Sequence, residues 1–106
     1  MQVAFSQTSV YFCKQTGAIG YCVGDSYVNT CAYDKCIYFG GYNPQNLIST
    51  YSKGYGAIAI GYNNGNRVVG ASAGWETLEQ AKQAARNSCY NAGGYNVYIH
   101  DSWGDF

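Results

Sequence analysis

Five cysteines and one histidine are the side chains of this 106-residue chain with the most chemistry in them. Cys13, Cys22, Cys31 and Cys36 follow one another at intervals of 9, 9 and 5, and Cys89 lies far downstream. No interval matches the paired C-x-x-C knuckles of a zinc site, and His100 is distant from every cysteine in sequence. The cysteines therefore read as disulfide candidates (Cys13, Cys22, Cys31, Cys36, Cys89) or buried free thiols, and the odd number leaves at least one unpaired within the chain. A nucleophilic cysteine with His100 as its base is formally available. Strict alternation along a last strand, however, puts His100 on the Asn96/Tyr98 face and turns Asp101 away from it, as for a surface histidine. The carboxylates Asp25, Asp34, Glu76, Glu79, Asp101 and Asp105 are scattered, with no reason to converge as a paired-carboxylate mechanism needs. Gly54-Tyr55-Gly56 and the Gly61–Gly65 stretch lack the G-K-S/T and the following helix of a phosphate loop. The expectation is a protein without catalytic residues, metal or cofactor.

Tyrosine is the other resource. There are 12 in the chain, too many for so small a core to bury. Tyr11, Tyr21, Tyr55, Tyr62, Tyr95, Tyr98 and Trp103 fall on strands or strand ends. Tyrosine fills strands by propensity alone. Exposed beside Asn and Gly, it also makes an adaptable recognition surface of rigid aromatic area with hydrogen-bonding neighbours. Tyr62, Asn63, Asn64, Tyr95, Asn96, Tyr98 and Trp103 are the binding residues on this reading. The partner is a protein or a second copy of the chain. The alternative is a small lectin-like protein with two related glycan sites.

The elements that must position these residues come as a duplication. C-x-x-x-G-G-Y-N occurs at Cys36–Asn43 and again at Cys89–Asn96, 53 residues on, which is half the chain. Superposing residues 1–53 on 54–106 without gaps gives ten identities: Ala4/Ala57, Gly17/Gly70, Ala18/Ala71, Ala32/Ala85, Cys36/Cys89, Gly40/Gly93, Gly41/Gly94, Tyr42/Tyr95, Asn43/Asn96 and Ser49/Ser102. Composition alone gives roughly four. The first hairpin matches better with a gap of a few residues before the helix.

Each half reads hairpin, helix, strand. In the first, residues 2–23 form strands, with Val3, Phe5, Val10 and Phe12 alternating with polar neighbours about a Lys14–Gly17 turn. Asp25 or Ser26 caps a helix over 27–38, Gly40-Gly41 ends it, and Asn46 to Tyr51 is an edge strand. In the second, Tyr55–Tyr62 places Ala57, Ala59 and Gly61 on one face and Ile58, Ile60 and Tyr62 on the other. Asn63–Asn66 is a hairpin turn, Arg67–Ala73 the return strand, and Thr77-Leu78-Glu79-Gln80 a capping box. Leu78, Ala81, Ala85 and Cys89 share a helical face, Gly93-Gly94 stops the helix, and Tyr95–Asp101 is the last strand. The fold class is α+β: tandem β-β-α-β repeats (1–53 and 54–106) in one domain, related by a pseudo-twofold, with a small mixed or antiparallel sheet, or two facing layers, and two helices. If the axis passes between the helices, Cys36 and Cys89 meet on it and bridge. Helices on opposite sides are too far apart for that.

The bounds set by composition are firm. Charged residues make up 11% and the net charge is zero, so no basic patch answers phosphates and nucleic acid is not a partner. No apolar run reaches the length of a membrane span. The N-terminal Met-Gln-Val-Ala-Phe-Ser-Gln has neither the basic nor the apolar region of a signal peptide. The chain is then either intracellular or a mature segment; low lysine, five cysteines and abundant Tyr, Asn, Gly and Ser favour a mature segment from an oxidising compartment, secreted or periplasmic.

Residues 55–100 carry a likeness. Tyr55-Gly56-Ala57-Ile58-Ala59, the Gly70-Ala71-Ser72 return strand, Ala81, Ala85, Cys89 and Gly93-Gly94 resemble a bacterial family of small secreted proteins of unknown function, mycobacterial members included. The resemblance implies repeated β-β-α-β units and export, and no reaction. That family usually has a further cysteine at the start of the last strand. Here the stretch is Tyr95-Asn96-Val97, so its local bridge to the helix cysteine has no counterpart.

Overall fold

A computed structural model describes residues 7–24, 27–50 and 53–105. The expectations for Val3, Phe5, Asp25, Ser26 and Tyr51 lie outside the described residues. Two β-β-α-β units follow one another. The first consists of β1 (Thr8–Phe12), β2 (Ile19–Val23), α1 (Val28–Tyr38) and β3 (Gln45–Thr50). The second consists of β4 (Gly54–Asn63), β5 (Asn66–Trp75), α2 (Leu78–Asn91) and β6 (Tyr95–Asp105). Each unit folds its strands into an antiparallel sheet with its first strand central, ordered β2-β1-β3 and β5-β4-β6.

The two sheets pack face to face. Alternation gives each central strand two apolar faces: Val10 and Phe12 of β1 meet Ile58 and Ile60 of β4 between the sheets, with Val69, Ile19, Tyr21, Ile48 and Trp103 around them. The opposite faces carry small residues and take the helices. Ala57 and Ala59 pack on Ala81, Ala85 and Cys89 of α2, while Cys13 and Ala18 pack with Cys36 of α1. The order of layers is helix, sheet, sheet, helix, and β3 lies against β5.

This arrangement decides the cysteine question. Each helix lies on the outer face of its own sheet, so Cys36 and Cys89 are separated by both sheets, and of the two alternatives it is the buried free thiols, not the bridge, that the fold contains. Both are free and buried, as is Cys13. The one disulfide among the described residues joins Cys22 on β2 to Cys31 on α1, with Cα atoms 6.0 Å apart.

The repeat motif has a physical reason. Gly40 and Gly93 adopt φ of +93° and +97°, which side chains resist. Gly40 N–H donates to Ile37 O and Gly41 N–H to Cys36 O. Likewise Gly93 N–H donates to Tyr90 O and Gly94 N–H to Cys89 O. Both pairs form the same left-handed helix stop, which satisfies carbonyls that the helix end leaves open. Asn43 and Asn96 follow at φ of +49° and +54°. The helix starts differ: Thr77 and Gln80 form the expected capping box on α2, whereas α1 begins at Tyr27 with no side-chain cap.

The hairpins align only with the gap. Cys36 Sγ donates to Ala18 O and Cys89 Sγ to Val68 O, both at 3.4 Å. Gly20 faces Ala32 and Cys36 as Gly70 faces Ala85 and Cys89. Gly20 therefore matches Gly70, and the ungapped Gly17/Gly70 and Ala18/Ala71 identities are coincidental.

Candidate functional site

The hairpin tips of both units lie at one end of the molecule, where Arg67 Nη1 donates to Gly17 O at 2.8 Å. A recess of about 600 Å³ separates Lys14 and Gln15 of one tip from Asn63, Asn64 and Asn66 of the other. The sheet of the second unit outreaches that of the first here, because β4 and β5 have ten residues each against five in β1 and β2. Its inward face, buried at Ile58 and Ile60, thus continues into the open as Tyr62, Arg67, Tyr98 and His100.

Tyr62 lies opposite both Tyr95 and Arg67 in the ladders, and Ile60 lies opposite Tyr98. The register thus gathers three of the sequence-predicted residues. Tyr95 is the most open, at 68% exposure, followed by Tyr98 and Tyr62. The Tyr98 hydroxyl hydrogen-bonds with that of Tyr62. This bond, then burial and the neighbouring phenol, hold Tyr98 above the ordinary phenol pKa, against a smaller opposing pull from Arg67. Tyr98 is therefore neutral at physiological pH, and the cluster presents ring area and hydroxyls.

The other predicted residues serve different ends. Asn63 Nδ2 donates to Gly93 O at 2.9 Å, tying the hairpin to the α2 stop. Asn64 and Asn96 occupy left-handed backbone positions, at φ of +52° and +54°. Trp103 lies away from the cluster, stacked on Tyr21 between the sheets with ring centroids 4.9 Å apart.

From Tyr98 the surface runs into a groove made jointly by the two units. Its first stretch, about 370 Å³, lies among Gly17, Ile19, Phe39, Arg67 and His100. The second, about 440 Å³, continues past Tyr21, Lys35 and Tyr38. The end of α1 supplies the wall, with Tyr38 at 83% exposure and Phe39 at 63%. His100 is exposed on this groove. The part of its ring that lies against the groove wall loses water, and this, with Arg67 second, lowers its pKa below the ordinary value, so it is neutral near pH 7.

Asp101 departs from the alternation that the sequence suggests. The register of β6 on β4 slips between Ile58 and Ala59, so Asp101 sits opposite Ile58 and Ile99 opposite Ala59. The bulge turns Asp101 inward, where it accepts a hydrogen bond from the Tyr21 hydroxyl. It is a fastening between units and no partner to His100.

Sequence reading missed Tyr38, Phe39, Arg67 and Ile19 as one surface. Each belongs to a separate element, and only the packing of one unit on the other brings them together. No group of three or more His, Cys, Asp or Glu among the described residues is placed to hold a metal. No described helix is long and apolar enough to cross a membrane. No family model, no curated protein and no solved structure matches the chain.

Proposed function

We propose that this chain is an exported, non-catalytic interaction module that binds a protein partner through the Tyr62/Tyr95/Tyr98 cluster and the adjoining groove. The observation that carries the reading is the overhang of the second sheet, which leaves core-facing tyrosines exposed beside the open rings of Tyr38 and Phe39. Aromatic area held by sheet register costs little conformational entropy on binding, and phenol hydroxyls bond to a partner's backbone. The resemblance of residues 55–100 to a secreted family and the Cys22–Cys31 disulfide support export.

A lectin with two related sites draws on the repeat, but the corners of the two units differ. Where the second unit has Tyr62 and Tyr98, the first has Lys14 and Gln45. Asn63, moreover, spends its amide on the fold. The protein reading fits better.

The test is capture of proteins from the producing culture on immobilised wild type and on a Tyr62→Ala/Tyr95→Ala/Tyr98→Ala variant, with light scattering of both in solution. A protein retained by wild type and lost by the variant supports the proposal. So does a concentration-dependent doubling of mass that the variant lacks, which makes the partner a second copy. Equal behaviour of a folded variant in both assays removes it.

A further inference from the structure

The first unit holds a thiol pair that the second lacks, and internal symmetry shows how close it is. Phe12 corresponds to Ile60 in the inter-sheet core and Ala18 to Val68 beneath the helix cysteine, so Cys13 corresponds to Gly61. A Cβ placed on Gly61 would lie 3.1 Å from Cys89 Sγ and 3.0 Å from Tyr95 O. The first unit shows the same surroundings filled. Cys13 Sγ donates to Tyr42 O at 2.8 Å and receives Tyr42 N–H at 3.2 Å, and Cys13 clusters with Cys36 in the core under α1. A Cβ about 3 Å from the opposing sulfur is the spacing a disulfide needs.

Cys13 lines a recess of about 310 Å³ with Lys14, Gln15, Tyr42, Asn43 and Gln45 around it. We propose that Cys13 and Cys36 form a dithiol site that reacts with small, carboxylate-bearing disulfides entering this recess, Cys13 attacking and Cys36 resolving. The Cys13 thiolate sulfur attacks one sulfur of the incoming disulfide, whose S–S bond breaks and releases one thiolate. Cys36 then gives its proton to the released thiolate and attacks the Cys13 sulfur of the mixed disulfide, and the second thiolate leaves and takes a proton from solvent. The two protein thiols are oxidised to the Cys13–Cys36 disulfide, and the small disulfide is reduced to two thiols.

The environments suit these roles. The Thr16 side chain foremost, then the Tyr42 backbone, hold the Cys13 pKa down to about 7 against the opposing effect of burial. Burial, and then the neighbouring Cys13, push Cys36 up. Lys14 on the rim places a cation where a carboxylate of the incoming disulfide would lie.

Trypsin cuts after Lys14, Lys35 and Lys53, so Cys13, the Cys22/Cys31 pair and Cys36 fall on separate peptides. The native protein, with Cys22–Cys31 intact, is incubated with excess glutathione disulfide, alkylated under denaturing conditions and mapped without reduction. The expected result is loss of both alkylatable thiols and a cross-link between peptides 1–14 and 36–53, while Cys89 stays fully alkylatable. Cys36→Ser is expected to stall with one glutathione on peptide 1–14, and Cys13→Ser to leave Cys36 unreacted. Wild type with Cys13 and Cys36 still alkylated, or Cys13 joined to any other cysteine, overturns the proposal. The wild-type map decides the matter even where a variant fails to fold.

Discussion

The corner of the first unit at Cys13, Lys14, Tyr42 and Gln45 and that of the second at Gly61, Tyr62, Tyr95 and Tyr98 are one place in a repeated frame. The helix stops, the glycines beneath the helices and the cysteine-to-carbonyl contacts coincide. What differs is whatever the frame leaves free. The second unit extends its hairpin and builds a tyrosine cluster. The first keeps a short hairpin, and a cysteine and a lysine take the places of glycine and tyrosine. The helices diverge in the same way. Outward, α2 shows Glu79, Gln83 and Asn87 with one aromatic, Tyr90, while α1 shows Tyr33, Ile37 and Tyr38 beside Asp34 and Lys35. A duplicated fold conserves close approaches of backbone and lets chemistry vary at the strand ends.

Gly20 and Gly70 should carry the largest effects. An added Cβ would lie 2.2 Å from Ala32 O at Gly20 and 2.3 Å from Cys89 N at Gly70, so a helix backbone must move in either case. Gly20→Ala and Gly70→Ala are each expected to destabilise by about 3 kcal/mol or more. Urea unfolding measures both, and a mild effect at one with a severe effect at the other breaks the equivalence of the frames.

The next contrast lies two residues further along the return strands. Cys22 and Ser72 are counterparts, and each ties its return strand to its helix. Cys22 does so through the disulfide to Cys31, and Ser72 through Oγ donating to Ala81 O at 2.6 Å. Replacing both cysteines with serine should cost about 2–3 kcal/mol by the loop-entropy model. Ser72→Ala should cost about 1 kcal/mol. Thermal melts of the two variants order them, and the reverse order denies the disulfide a major role.

The frame was legible in the sequence because its causes are local. Glycine at a helix stop, Thr77 with Gln80 at a helix start and Asn64-Gly65 in a hairpin are dictated within a few residues. Alternating Ala and Ile on β4 announced a strand with two buried faces. Three things were not legible. The side of the sheet that each helix takes was one, and it placed Cys36 and Cys89 on opposite faces of the molecule. The bulge that turned Asp101 inward was another, since alternation has no sign for a slipped register. The groove was the third, because Ile19, Phe39, Arg67 and His100 come together only when one unit packs on the other. Trp103 carried the composition of a binding residue and became a wedge between the sheets.

A smaller effect separates the thiols. Cys13 ionises near pH 7, while burial foremost keeps Cys36 and Cys89 above the ordinary thiol range. Besides Cys36, the titratable groups around Cys13 among the described residues include Lys14 and Tyr42 on the recess and Tyr11 against the same core cluster. Between about pH 6 and 8, iodoacetamide alkylation of the native protein should accelerate at Cys13 alone. Equal profiles at the three sites would erase the distinction between the units.

His100 sets the smallest effect. Its folded pKa is depressed, so the fold favours the neutral ring. Protonation works against folding as the pH falls below the unfolded value of about 6.5, and the penalty is absent above it. His100→Gln should flatten the dependence of the melting temperature on pH between about 7 and 5. An unchanged slope would assign the acid sensitivity elsewhere.

Tyr42 and Tyr95 test the divergence of the corners most directly. They hold the same position in the two units, and their exposures of 62% and 68% are nearly equal, so exposure alone cannot separate them. The measurement is the affinity of the captured partner for wild type, Tyr95→Ala and Tyr42→Ala by biolayer interferometry. Loss of an aromatic anchor typically costs about 1.4 kcal/mol or more, a tenfold weakening. Tyr95→Ala should show that weakening and Tyr42→Ala an unchanged affinity. Equal losses, or a loss confined to Tyr42→Ala, would contradict the divergence of the two corners.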